Sequence, residues 1–148
     1  VPGVRIGWTV SNKELADRFR VYRDYTMICD GVFNDALAVH VLRNRDKVLE
    51  RNRAIVTGNL AVLERWLKGQ PKLSFVKPRA GTTAFLKMEF DMPSADFCRG
   101  LLAEKGVLLV PGSVMDREGY LRIGYANTPE VIAAGLDKMG EYLAELPL

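Results

Sequence analysis

The sequence predicts an α/β chain in two parts, helical for most of its first half and then a small α+β unit. Three observations carry this. Helical periodicity with start and stop signals dominates up to Gly69. From Pro71 onward, short apolar runs alternate with helix signals in the order β-β-α-β-β-α, the pattern of a small α+β unit. Finally, 148 residues with 48% hydrophobic and 26% charged side chains have the size and composition to build a real core.

The elements follow in order. Val4 to Val10 is rich in valine, isoleucine and tryptophan and reads as a strand. Ser11 and Glu14 form an S-x-x-E capping box, which starts a helix running to about Tyr25 with Leu15, Phe19 and Tyr22 on one face. Gly31 marks a turn, and Val32 to Leu42 reads as a short, largely buried helix. A long helix runs from about Asp46 to Lys68 until Gly69 and Pro71 stop it. Strands are expected at Leu73 to Val76 and Thr83 to Phe90. Ser94 is expected to cap a helix that continues to about Lys105. Val107 to Val110 and Tyr120 to Tyr125 read as further strands. Pro129 opens the last helix, because a first-turn proline loses no hydrogen bond there.

Composition narrows the function. The net charge of +3 is spread along the chain, whereas a nucleic-acid footprint clusters basic residues on one face. The dense stretch Arg43 to Arg53 contains Asp46 and Glu50 and reads as a solvated helix face. Cys29 and Cys98 are far apart, with no partners at metal-ligand spacing, so no metal site is expected. They read as reduced cysteines of a cytoplasmic protein. No apolar run approaches the roughly 20 residues of a membrane span, and no signal-peptide pattern opens the chain. His40, the single histidine, lacks a partner for acid–base work and reads as packing or interface. Ser113 lacks the G-x-S-x-G frame of a hydrolase, and no phosphate-cradling glycine loop is present.

Three segments, in order, carry a family resemblance. The first is Pro2-Gly3-Val4-Arg5-Ile6-Gly7-Trp8. The second is Pro78-Arg79-Ala80-Gly81-Thr82-Thr83-Ala84-Phe85. The third runs from Gly106 through Pro111-Gly112 to Leu121-Arg122-Ile123-Gly124-Tyr125-Ala126. Together they resemble the fold-type-I, class I/II aminotransferases, which use pyridoxal 5′-phosphate (PLP). The matching stretches there are G-x-R-x-G-W after the PLP lysine, P-x-G-G-x-F at the opening of a strand, and G-V-x-V-x-P-G…R-x-x-x-A near the end. The resemblance covers essentially the whole chain.

From residue type alone, Arg5 and Arg122 would each be a structural arginine neutralised by a nearby acid. The resemblance implies more. Arg5 falls on the cofactor-binding arginine that contacts the PLP phosphate, and Arg122 on the substrate-binding arginine that clamps the α-carboxylate. A guanidinium fork suits both anions. Thr83 stands where relatives often carry an aromatic facing the substrate, which implies a roomier, more polar pocket. Ala80 replaces the first glycine of the usual pair and makes that turn less permissive. Asp30 is either a helix-capping aspartate or, by resemblance, a group that meets a cationic substrate tail across a dimer.

The family's Schiff-base lysine lies eight residues before the phosphate arginine, a few residues before Val1. The lysines present read as solvated surface groups, so no catalytic residue is expected in this chain. The start at Val1 reads as a cut inside a larger protein. By resemblance the chain is the carboxy-terminal portion of a fold-type-I PLP transferase. Residues 1–45 would be the tail of the large PLP-binding domain, and residues 46–148 the connecting helix and small domain. The implied partners are an amino acid and a 2-oxo acid, the missing amino-terminal portion, and a second copy in a homodimer, with no nucleic acid or membrane. Fold-type-I lyases, synthases and cyclases share both arginines and stay open as alternatives, as does a non-catalytic module. Alone, the piece is expected to fold poorly, because the Val4 to Val10 strand would lose its sheet neighbours.

Overall fold

A computed structural model describes residues 2–146. The helices are α1 (Lys13–Thr26), α2 (Val32–Arg43), α3 (Arg45–Leu67), α4 (Ser94–Lys105) and α5 (Pro129–Glu145). The strands are β1 (Leu73–Phe75), β2 (Thr83–Met88), β3 (Val110–Pro111) and β4 (Tyr120–Gly124). The chain divides into two compact units, residues 1–50 and 51–148, with the division inside α3.

The first unit holds α1, α2 and the segment before them. Asn12, not Ser11, caps α1: its Oδ1 accepts from the Leu15 backbone N–H at 2.9 Å. Asparagine is as good a cap as serine and here sits three residues before that orphan donor. Glu14 does not reach back as a capping box requires; it accepts from Arg18, one turn on, at 2.9 Å. Residues 2–4 make a 3-10 turn, and residues 5–12 carry no strand pairing, contrary to the strand expected over Val4 to Val10. A strand exists through ladder bonds to a neighbour, and no described strand pairs with this segment. α2 forms where expected but is not buried: Val32 is 80% and Phe33 84% exposed, and neither α1 nor α2 contains a buried residue. His40 is exposed too, and packs into no core.

The second unit is built on an antiparallel sheet in the order β1-β2-β4-β3. Successive side chains on β2 alternate, with Ala84, Leu86 and Met88 turned inward and Thr83 and Lys87 outward. β4 does the same, with Leu121 and Ile123 inward and Arg122 and Gly124 outward. The inward set meets Leu63 and Leu67 of α3, Phe97 and Leu101 of α4, and Leu136, Met139 and Leu143 of α5 in one core. The expected strand over Val107 to Val110 narrows to two paired residues at the sheet edge, Val110–Pro111.

Ser94 is the first residue of α4, and its side chain does not cap it. Pro93 occupies the cap position with an extended backbone, so the helix start is satisfied from elsewhere. The Ser94 N–H donates to Glu118 Oε1 at 2.6 Å, and Ser94 Oγ accepts from the Ser113 N–H at 3.3 Å. Gly112 packs so closely that an added Cβ would lie 2.0 Å from the Arg117 carbonyl oxygen and 2.6 Å from that of Tyr120. Two lysines are less solvated than expected. Lys72 Nζ donates to the Leu143 carbonyl at 2.8 Å near the end of α5, and Lys105 bridges to Glu145 at 2.7 Å with its side chain 17% exposed.

Candidate functional site

The helices cover one face of the sheet, and the outward face carries the polar candidates. Antiparallel register places directly opposed residues on the same face. Arg122, in the middle of β4, is opposed by Phe85 on β2 and by Val110 on β3. Thr83 is opposed by Gly124, so it stands diagonally from Arg122, roughly 7–8 Å away by sheet geometry. A Cβ built on Gly124 would meet nothing within 4 Å, which leaves the ground beside Thr83 open. Arg122 and Thr83 are both exposed. Phe85 and Tyr120 stack at 5.5 Å between ring centroids on the same face.

This face combines a guanidinium between two apolar neighbours, a hydroxyl, and a shelf without a side chain. An exposed guanidinium between such neighbours is suited to taking a planar anion through two parallel bonds. Lys87, on the same face of β2, is bound to Glu89 at 2.7 Å; that bond raises the lysine pKa and lowers the carboxylate's, so both stay charged.

The backbone around this face is held by Asn59, Tyr125 and Glu118, of which only Tyr125 is itself a motif residue. Asn59 of α3, 1% exposed, donates from Nδ2 to the carbonyl oxygens of Tyr125 at 2.8 Å and Asn127 at 2.7 Å. Tyr125 donates its backbone N–H to the Thr82 carbonyl at 2.9 Å and its phenol to the Gly81 carbonyl at 3.0 Å. Burial pushes that phenol's pKa up, which keeps it a neutral donor. Gly81 has φ +92°, so the glycine this turn requires is Gly81, and Ala80 is tolerated beside it. At the other end of β4, Glu118 accepts from the backbone N–H groups of Gly119 and Ser94, which hold its carboxyl below the usual range.

Arg5 lies in the first unit, exposed, just after the 3-10 turn, with its backbone at φ +54°. That left-handed conformation is uncommon for a residue other than glycine, and such outliers gather at functional sites. Asp30 precedes the α2 cap, which is Gly31, and its carboxylate lies 3.8 Å from Arg23; it does not cap the helix. Burial pushes the Cys98 thiol up to about 11, so it is no nucleophile at neutral pH. Among the described residues, no three His, Cys, Asp or Glu side chains gather as a metal site, and no helix is long and apolar enough to cross a membrane. A separate hollow of about 390 Å³ lies between Leu108 and α5; it is mainly apolar, and neither Arg122 nor Thr83 lines it.

Comparison with known proteins bears on both units. The family model "Aminotransferase class I and II" matches residues 1–138. A PLP-dependent aminotransferase of Streptococcus suis 89-1591 superposes with a TM-score of 0.95 at 46% identity, over 99% of this chain and 39% of that one. Capreomycidine synthase of Streptomyces vinaceus is 28% identical over 97% of this chain and 37% of its own length. The aspartate aminotransferase of Thermotoga maritima is 28% identical over 95% of this chain and 36% of its own length. The chain thus spans little more than a third of these relatives. Its fold is the smaller carboxy-terminal part of a fold-type-I PLP aminotransferase. With the match reaching from the first residue to 138, this chain belongs to the class I and II aminotransferase family.

Proposed function

We propose that the complete protein transfers an amino group between an amino acid and a 2-oxo acid. In this reading Arg122 captures the substrate carboxylate, Arg5 part of the cofactor phosphate, and Thr83 lines the side-chain pocket. The observation that carries it is the setting of Arg122: an outward guanidinium centred on β4, flanked by Phe85 and Val110, beside the open ground at Gly124.

The cofactor of the family is pyridoxal 5′-phosphate, and the residues present fit its phosphate end. Arg5 is exposed on a backbone held in an unusual conformation, and a Cβ at neighbouring Gly3 or Gly7 would meet nothing within 4 Å. When bound, PLP supplies the electron sink for chemistry at the substrate α-carbon. Arg122 contributes orientation: two parallel bonds to one carboxylate fix the α-carbon's position and convert a loose encounter into a fixed geometry. Phe85 and Val110 stand on either side of Arg122 in the sheet, and a carboxylate pair there would strengthen wherever the complete site excludes water. Residues 1–45 would belong to a large domain and residues 46–148 to a connecting helix and small domain, in a cytoplasmic homodimer.

A second reading is favoured by one observation. Capreomycidine synthase matches 97% of this chain and the PLP-dependent cyclase OrfR 98%, so cyclisation or another α-carbon reaction of an amino acid on the same carboxylate anchor is the alternative. The test is to incubate the full-length, PLP-loaded protein with a panel of L-amino acids, with and without 2-oxo acids, and identify products by mass. Exchange of amino and oxo groups supports transamination. A cyclised or eliminated product without exchange supports the alternative. In either case Arg122→Gln should lower kcat/KM about 100-fold or more, the scale of two lost charge-assisted bonds; an unchanged value removes Arg122 from the site.

A further inference from the structure

Two described polar side chains in the second unit are fully buried, Asn59 and Ser94, and they serve the two ends of the same strand. Ser94 joins the loop before β4 through Ser113 and Glu118. Asn59 holds the backbone that leaves β4. Both its bonds come from a single nitrogen, to carbonyls 66 and 68 residues away. Two bonds from one planar amide fix that amide and both carbonyls together. The held residue, Tyr125, then ties to Thr82 and Gly81 through its N–H and its phenol. Arg122 lies three residues before Tyr125, and Thr83 directly follows Thr82.

We propose that Asn59 is the positioning residue for substrate binding, setting the separation of Arg122 and Thr83 by locking the end of β4 to the start of β2. The proposal rests on the carboxylate role given above to Arg122. Asn59 touches neither substrate nor cofactor in this arrangement. It acts through the Tyr125 backbone, and the ties at Gly81 and Thr82 carry its constraint to the neighbouring strand. The other buried residues of α3, Leu63 and Leu67, follow it and are apolar, and the Asn59 amide bonds to the backbone at the β4 exit.

The test uses the full-length, PLP-loaded protein, with acetate as the probe of carboxylate capture alone, titrated against the cofactor absorbance. KM and kcat are measured beside it with the fastest L-amino acid. Asn59→Asp keeps the size and removes both donors; it should weaken acetate about tenfold and raise KM by a similar factor, with kcat changed less. Tyr125→Phe removes only the tie to Gly81 and should weaken acetate about threefold, a fraction of that same misplacement. Lys72→Met removes a tie of the same kind, from Lys72 to the end of α5, and should lower the melting temperature without moving acetate affinity. A folded Asn59→Asp protein that binds acetate like the native one overturns the positioning role; if that variant does not fold, unchanged acetate affinity in Tyr125→Phe overturns it. Arg122→Gln separates the two ideas: loss of acetate binding there keeps the carboxylate reading whatever Asn59 does, and native affinity there overturns both.

Discussion

The two units draw on similar side chains and reach opposite outcomes. In residues 51–148, leucines, Phe97 and Met139 close a core between a sheet and the helices on one of its faces. In residues 1–50, Trp8, Phe19, Tyr25, Val32 and Phe33 are as apolar, yet all are exposed. The difference is not hydrophobicity. A helix buries its apolar stripe only against another layer, and the second unit has a sheet to supply one, while the first has two short helices and an unpaired segment. Apolar content predicts the wish to be buried; the available partner surface decides whether it is.

The comparison can be broken or sharpened by substitution in the chain itself. The largest contrast should come from paired phenylalanines. Phe97→Ala empties a fully buried site and should cost about 3–5 kcal/mol, whereas Phe33→Ala removes an exposed ring and should stay within about 0.5 kcal/mol. Urea unfolding followed by tryptophan fluorescence reads both, and equal costs would mean that the first unit has a core of its own. A smaller contrast lies in the glycines. Gly112→Ala drives a methyl into the Arg117 and Tyr120 carbonyls and should cost about 1–3 kcal/mol or more, while Gly7→Ala, with nothing within 4 Å, should change the same melt little.

The smallest effect concerns pH. The Gly119 and Ser94 N–H groups lower the Glu118 pKa, so the folded form prefers the ionised carboxyl. Its contribution is therefore present above the ordinary carboxylate pKa of 4.5 and is lost as pH falls below it towards the lowered folded value. Glu118→Gln should flatten the acid limb of the thermal melt, and an unaltered limb would show that Glu118 does not hold the α4 start in solution.

Much of the second unit was legible because its signals are local. Short apolar runs marked β2 and β4, and Pro129 marked the first residue of α5. Arg122 and Thr83 could be singled out by motif, but their shared face depends on a register between strands almost 40 residues apart, which an apolar run alone leaves open. Asn59 was invisible for the same reason: in sequence it is one polar residue on a long amphipathic helix, and its purpose depends on carbonyls that arrive from the far end of the chain. The errors in the first unit have another source. Val4 to Val10 has strand composition and α2 has core composition, and neither property can be realised without a neighbouring layer. The caps at Ser11 and Ser94 failed by a single residue, because Asn12 competed in one case and Pro93 took the position in the other.

Tyr125 grips its neighbours through the carbonyls of Gly81 and Thr82, groups that every amino acid carries, and leaves the side chain of residue 83 out of the bargain. Position 83 is thus a single codon at which chemistry can drift while the frame stays put. A saturation library there would sample small, polar, aromatic and charged groups on one unchanged backbone, and divergence among descendants of this chain can accumulate at that residue without a folding penalty to erase it.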